Sequence, residues 1–449
     1  MQKFTVEDVK KALKIEDGNG FEPVTGVTID SRNVEKGNIF VAIKGERVDG
    51  HDYIESALEK GASCVISEKD ISNPKILKVK NSSYAIGRVA AYYKNMYNLP
   101  TVAVTGSVGK TSTKDMIARV MENLGPCLKT EGNFNNELGL PLTCFRLEKE
   151  HKSAVLEMGM SAFGEIEYLA DIAYPDVAVI TNIGMSHIEN LGSRAGILRA
   201  KMEIVTNFDK NNLLIINNDD DMLSGVSKDT DYKILTYGIN NESDYMAADI
   251  ENLGLSGMRF TAKTPKESFP VTLAVPGIHN VYNALSAIAV GERFGISSEK
   301  MQKSFERAEL TKMRLTIEEG NGITLINDCY NASPDSIRAS LEVLKTAKDR
   351  KVAVLGDVLE LGDFSKVAHE GIGKMILGRA DIAIFAGNEQ KYAYEVAKKD
   401  NVEAYWFKTT EEAAEFAKDT AKSGDTVLVK ASRGMHFEKI CEKIGEKMK

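Results

Sequence analysis

The segment Val102-Ala-Val-Thr-Gly-Ser-Val-Gly-Lys-Thr111 constrains the fold of this chain more than any other. An apolar run of strand character ends in a glycine-bearing turn, and Lys110 and Thr111 follow where a helix would begin. Unpaired N–H groups and the helix dipole at such a terminus hold polyphosphate. The lysine adds positive charge near the terminal phosphates, and the threonine hydroxyl is a ligand for Mg²⁺. The segment therefore predicts a nucleotide site formed by Thr105, Gly106, Ser107, Val108, Gly109, Lys110, Thr111 and Ser112, with ATP as the energy source. It departs from the common phosphate loop in one respect. The glycine usually found five residues before the glycine of Gly-Lys is replaced by Val104.

Strand-then-helix alternation recurs along the chain, which predicts an α/β fold. At 449 residues the length suggests about three domains. Boundaries are expected at Asn98-Leu-Pro100 and near 311, giving units over 1–97, 98–310 and 311–449. The first mixes short strands, over 38–43 and 62–66, with helical periods. The second carries apolar strand candidates at 101–105, 154–158, 177–181 and 213–216, near-continuous runs that fit a parallel sheet covered on both faces. A β-rich stretch is expected over 233–275. The third has strand candidates at 323–327, 352–355, 382–385 and 426–429, an open sheet whose ligands should sit at the carboxyl ends of the strands.

A net charge of −8 argues against a nucleic-acid or anionic-membrane partner. The five cysteines are scattered without a C-x-x-C pair, which argues against a zinc site or a disulfide framework. The first residues are charged and lack an apolar leader core, and no apolar run reaches membrane-spanning length. A cytoplasmic monomer that does not insert in the membrane is expected.

Several polar residues follow predicted strands directly. Glu157 ends one and suits Mg²⁺; taken alone it reads more often as a solvated strand end. His187 follows another, as a possible metal ligand or a capping histidine. Lys201 lies in a helical pattern and alone reads as a surface lysine. Asn280 and Asn283 share one helix face and suit a base or phosphate, with capping by Asn280 as the alternative. Asp328-Cys-Tyr-Asn-Ala-Ser-Pro-Asp335 is a polar turn entering a helix at Pro334, with Ser333 as a candidate cap. Lys430 and Arg433 offer two cations to an anionic ligand, and Arg314 stands near the second boundary.

Taken in order, these residues resemble the Mur ligase family, the ATP-dependent amide ligases of peptidoglycan synthesis. The resemblance spans nearly the whole chain and includes Gly132-Asn-Phe-Asn-Asn-Glu-Leu-Gly139. Within the family, Glu157-Met-Gly-Met-Ser-Ala-Phe-Gly-Glu-Ile166, Asn327–Ser336 and Leu355-Gly-Asp-Val-Leu-Glu-Leu-Gly362 are similar to the branch that adds D-alanyl-D-alanine to a UDP-N-acetylmuramoyl tripeptide. The Asp-Asn-Pro-Arg motif of the preceding ligase is absent. The resemblance implies an N-terminal UDP-substrate domain, a central ATPase-like domain and a C-terminal Rossmann-like domain. It implies that a substrate carboxylate takes the γ-phosphate and that the resulting acyl phosphate is attacked by the dipeptide amine. Lys110 would bind the β/γ-phosphates, and Thr111, Glu157, His187 and a carbamylated Lys201 would hold two Mg²⁺ ions. Asn280, Asn283 and Arg314 would hold nucleotide, and Asp328, Tyr330 and Asn331 would line the nucleotide and dipeptide side. Lys430 and Arg433 would approach the γ-phosphate or peptide, with Asn135 and Asn136 also on the substrate. Ser31, Arg32 and Gly45, with Asp49 and His51 nearby, would serve the uridine diphosphate end. A nucleotide-driven switch or scaffold is the rival from another class; it needs no cluster of Glu157, His187 and Lys201.

Overall fold

In a computed structural model, residues 4–16, 21–307 and 311–449 are described. Their strands form three sheets, each from one continuous stretch of chain. Strands β1 (Gly26–Thr28), β2 (Asn38–Val41), β3 (Cys64–Ser67) and β4 (Ile76–Lys78) pair in parallel in that order. The central sheet contains β5 (Thr101–Thr105), β6 (Cys127–Lys129), β7 (Ser153–Glu157), β8 (Val177–Ile180), β9 (Leu213–Asn217), β10 (Lys233–Gly238), β11 (Tyr245–Asn252), β12 (Met258–Lys263) and β13 (Ser268–Leu273). Its order is β13-β12-β11-β10-β9-β8-β5-β7-β6. The last sheet holds β14 (Thr316–Gly320), β15 (Ile323–Asn327), β16 (Lys351–Gly356), β17 (Ile382–Ala386), β18 (Glu403–Phe407) and β19 (Thr426–Lys430), in the order β14-β15-β19-β16-β17-β18.

The apolar runs explain the layering. Side chains alternate between the faces of a strand. Val102 and Val104 therefore pack on one side of β5 with helices Lys110–Met121 and Ile278–Arg293. Ala103 packs on the other side, with helix Ser82–Asn95 of the first unit. Both faces are dry, which is why the sequence shows no polar alternation there. The β-rich stretch extends this same sheet: β10 and β11 continue it in parallel, and β12 and β13 turn antiparallel. The last sheet is parallel apart from its β14 edge.

Strands β8, β5 and β7 lie side by side, with Val104 opposite Glu157 and Thr105 opposite Ile180. The chain visits β6 and β7 on one flank of β5 and then β8 on the other. The order reverses beside the loop that follows β5, and open α/β sheets place their ligands at such a reversal.

A buried cluster ties that loop's helix to the third unit. Asp115 faces Lys114 at 2.8 Å and Lys129 at 3.2 Å. It also accepts a 2.5 Å hydrogen bond from Thr311. Burial alone would raise the Asp115 pKa, but the two lysines outweigh it and hold the carboxyl below the usual range. Asp115→Ala would leave Lys114, 2% exposed, without its carboxylate. It is expected to cost about 3–5 kcal/mol, read as a lower urea midpoint for the central domain. An unchanged midpoint would contradict this.

Candidate active site

The loop after β5 is shaped before any ligand arrives. Gly106 has φ +150°, and a Cβ there would lie 1.8 Å from Thr181 Oγ1, so no larger residue fits. Thr181 donates to the Val108 carbonyl at 2.6 Å, and Asn182 both donates to that carbonyl and accepts from the Val108 N–H, at 2.9 Å each. Ser107 Oγ accepts from the Gly184 N–H at 2.9 Å. Gly109, at φ +85°, opens helix Lys110–Met121 without a side-chain cap. Its first N–H groups therefore lack the side-chain acceptor that helix starts normally carry. Lys110 donates to the Gly106 carbonyl at 2.8 Å, and burial, with Arg314 adding to it, lowers its pKa.

Glu157 is not a solvated strand end: it is 2% exposed. One carboxylate oxygen accepts from Thr111 Oγ1 and the other from Asn135 Nδ2, each at 2.8 Å. The backbone N–H of Glu157 donates to Thr130 Oγ1. Asn136 caps the turn into helix Gly139–Cys144 by accepting from the Gly139 N–H. Lys201 is not a surface lysine. It is 2% exposed, in helix Arg194–Met202, and no carboxylate pairs with it among the described residues. Burial and then the charge of Lys110 push its pKa well below the ordinary lysine range. His187 has φ +62° and begins the turn Ile188–Leu191. Its Nδ1 lies 3.1 Å from Glu360 of the third unit. Burial lowers its pKa, Glu360 opposes that, and Lys110 and Lys201 reinforce it.

The third unit supplies the opposite wall. Arg314 lies over the Tyr330 ring at 4.2 Å, and Arg433 approaches the same ring at 5.8 Å. Asp328 accepts from Lys430 and from Ser340 at 2.5 Å each, and from the Leu315 N–H at 3.1 Å. Lys430 also donates to the Asn331 carbonyl. Ser333 does cap helix Pro334–Lys345, in a reciprocal capping box with Ser336. From the central unit, Thr113 donates to Asn283 Oδ1 at 2.9 Å, and Asn283 Nδ2 donates to Asn280 Oδ1 at 3.0 Å. Asn280 is no helix cap: Gly277 occupies that position, and Asn280 donates to the Pro276 carbonyl instead.

These groups share one cavity of about 660 Å³. Residues 107–112, Asn135, Asn136, Glu157, His187 and Asn283 line it from the central unit. Arg314, Asp328, Tyr330, Asn331, Lys430 and Arg433 line it from the third. Other residues singled out in the sequence lie off its wall. Thr105 turns its hydroxyl to the Met158 carbonyl. Gly106, Asn280 and Lys201 sit behind the lining. Ser31, Arg32, Gly45, Asp49 and His51 lie on loops of the first sheet, away from this cavity. There Arg32 forks onto Asp30 and holds that carboxyl down at about 2. The Ser31 carbonyl accepts from Lys60, and the Gly45 N–H donates to the Val48 carbonyl. His51 is 7% exposed, with Nδ1 at 2.6 Å from Asp49 and Nε2 accepting from the Glu68 N–H. Both ring nitrogens are used, which makes His51 a brace of its loop. Sequence reasoning missed Thr181, Asn182, His279 and Glu360. Glu360 stands inside the motif Leu355–Gly362 and His279 directly beside Asn280, which was the available signal.

Among the described residues no group of three or more His, Cys, Asp or Glu side chains is ready to hold a metal alone. The oxygens of Thr111 and Glu157 are nonetheless hard ligands of the kind Mg²⁺ takes together with substrate phosphates. No helix is long and apolar enough to cross a membrane among the described residues.

Family models match in three consecutive parts: the Mur ligase family catalytic domain over 23–98, the Mur ligase middle domain over 104–291 and the Mur ligase glutamate ligase domain over 313–433. The UDP-N-acetylmuramoyl-tripeptide--D-alanyl-D-alanine ligase of Bacillus subtilis is 38% identical over 461 aligned positions, covering 99% of each chain. The structure is similar to MurF from Acinetobacter baumannii, with a TM-score of 0.91, 33% identity and 99% of both chains covered. It is also similar to the MurF ligase of Thermotoga maritima in complex with ADP, with a TM-score of 0.85, 29% identity and 94% and 97% coverage. With three family models matched along its length and a full-length relative at this identity, the chain belongs to the Mur ligase family.

Proposed function

We propose that this protein joins D-alanyl-D-alanine to a UDP-N-acetylmuramoyl tripeptide in the cytoplasm, converting ATP to ADP and phosphate. The observation that supports this best is the cavity shared by two parts of the chain. It sets an uncapped phosphate-binding helix start and Lys110 against Arg314, Asp328 and Lys430 of another unit. The two walls allow phosphoryl transfer and amide formation to occur in one shielded space.

Phosphoryl transfer needs mainly positioning and charge neutralisation. Lys110 and the N–H groups that follow it hold the β- and γ-phosphates. Thr111 and Glu157 would hold one Mg²⁺, and His187 with carbamylated Lys201 a second; bound Mg²⁺ neutralises phosphate charge. Glu360 holds His187 Nδ1, which leaves Nε2 for a cation. Carbamylation requires an uncharged amine, and the environment of Lys201 disfavours the ammonium form. Asn283, braced by Asn280, and Arg314 hold the nucleotide. Asp328, Tyr330 and Asn331 line its far side and that of the dipeptide, with Lys430 and Arg433 toward the γ-phosphate. Asn135 and Asn136 face the peptide, while Ser31, Arg32 and Gly45, on the loop braced by Asp49 and His51, serve the uridine diphosphate. The three sheets correspond to units over 1–97, 98–310 and 311–449, acting as a monomer.

The substrate carboxylate attacks the γ-phosphorus and ADP leaves. The dipeptide amine then attacks the acyl carbon, and phosphate departs with one former carboxylate oxygen. Substrate labelled with ¹⁸O in that carboxylate is therefore expected to deliver one label to each phosphate released, read by mass spectrometry. Unlabelled phosphate would contradict the acyl-phosphate route.

A further inference from the structure

Lys114 is 2% exposed, in a place where an apolar side chain would fill the same space at less cost. Its carboxylate neighbour, Asp115, has two further partners, Lys129 at 3.2 Å and Thr311 at 2.5 Å. Pairing with Asp115 is therefore a weak reason to keep an amine here. The other partner of Lys114 Nζ is the Thr130 carbonyl, which accepts from it at 2.8 Å.

The backbone around Thr130 shows what that bond does. Strand β6 ends at Lys129, and the Thr130 N–H still donates to the Val155 carbonyl of β7 at 3.2 Å. In a regular parallel ladder the next bond would run from the Glu157 N–H to the Thr130 carbonyl. It runs instead to Thr130 Oγ1, at 2.9 Å. Lys114 takes the carbonyl that this leaves over, and a buried carbonyl without a partner would be costly. Beyond Thr130 the chain leaves the sheet and brings back Asn135, whose Nδ2 donates to Glu157 at 2.8 Å. Thr130 thus fixes Glu157 twice, through its hydroxyl and through the start of the loop that carries Asn135.

Lys114 stands about one turn after Thr111 on helix Lys110–Met121. Thr111 Oγ1 holds the Glu157 carboxylate at 2.8 Å, and Lys114 holds the Glu157 backbone by way of Thr130. Thr111 and Glu157 line the cavity, while Lys114 and Thr130 lie behind its wall. One helix therefore grips Glu157 from the front and from behind. We infer that Lys114 and Thr130 are positioning residues for Glu157, fixing its carboxylate against the Thr111 hydroxyl so that both oxygens stand ready for one cation. This rests on the reading of Glu157 as a Mg²⁺ ligand.

The test is titration of Mn²⁺ into the full chain with bound ADP, with free Mn²⁺ read by electron paramagnetic resonance. Lys114→Met and Thr130→Val are each expected to weaken Mn²⁺ binding about tenfold or more. The double variant should lose little beyond either single one, since both act by one route. Lys129→Met removes a cation from Asp115 without touching Thr130, and its Mn²⁺ affinity should stay within about twofold of the wild type. Metal-free ADP affinity should be unchanged in all of them. Thr130→Val leaves every buried charge paired, so it carries the test should Lys114→Met not fold. The inference is overturned by wild-type Mn²⁺ affinity in either single variant, by additive losses in the double variant, or by an equal loss in Lys129→Met, which would make Lys114 a charge partner of Asp115 and no more. A wild-type ADP complex that binds no Mn²⁺ would remove the metal reading of Glu157 itself, and this inference with it.

Discussion

Replacing Lys110 with alanine is expected to cut ATP-dependent phosphate release by at least about 10²- to 10³-fold. Lys110 is the cation closest to the uncapped helix start, and its one hydrogen bond, to the Gly106 carbonyl, holds it over the loop. The fold should survive the change. Burial lowers the Lys110 pKa, so the folded state holds the ammonium at a cost near neutral pH, and that cost fades as pH rises through the lowered value. Removing the side chain should therefore leave the melting temperature unchanged or slightly higher. Normal turnover in this variant would remove the nucleotide assignment. A collapse in melting temperature would show that the residue is structural instead.

Lys201→Ala is expected to be similarly inactive, by about 10²-fold or more, for a different reason. A lysine 2% exposed, with no carboxylate partner among the described residues, is an expensive side chain to keep. The proposed carbamylation would replace an amine whose charged form burial and Lys110 disfavour with an anion that suits a metal site. Alanine removes that group while leaving space, so acetate or formate should restore part of the activity. Full activity without added carboxylate would eliminate the metal-holding role. Inactivity that no carboxylate relieves, in a folded variant, would point to a packing role.

Much of the fold was legible because the strands are buried on both faces. The runs at 101–105 and 323–327 coincide with β5 and β15, since continuous apolar stretches bounded by polar turns leave few alternatives. The half-exposed strands β14 and β18 lacked that signal and were not anticipated. At the site, local pattern misjudged burial. Glu157 ends a strand, where carboxylates usually meet water, but Asn135 and Thr111 close over it from distant parts of the chain. Lys201 occupies a helix whose polar residues look solvent-facing, and only tertiary packing buries it. Asn280 read as a cap because it stands near a helix start, whereas Gly277 holds the cap position. His51 sat in a motif implied to lie near a ligand, while its ring is spent on Asp49 and Glu68. The contact between His187 and Glu360 joins two units that no local pattern could align.

The most direct test of the ligase reading is phosphate release from purified protein supplied with ATP, Mg²⁺, UDP-N-acetylmuramoyl tripeptide and D-alanyl-D-alanine, with each component omitted in turn and the product weighed. The prediction is release that requires all four and a product heavier than the tripeptide substrate by one dipeptide less water. Release that continues without the dipeptide or the tripeptide, with no heavier product, would contradict it and favour a nucleotide switch.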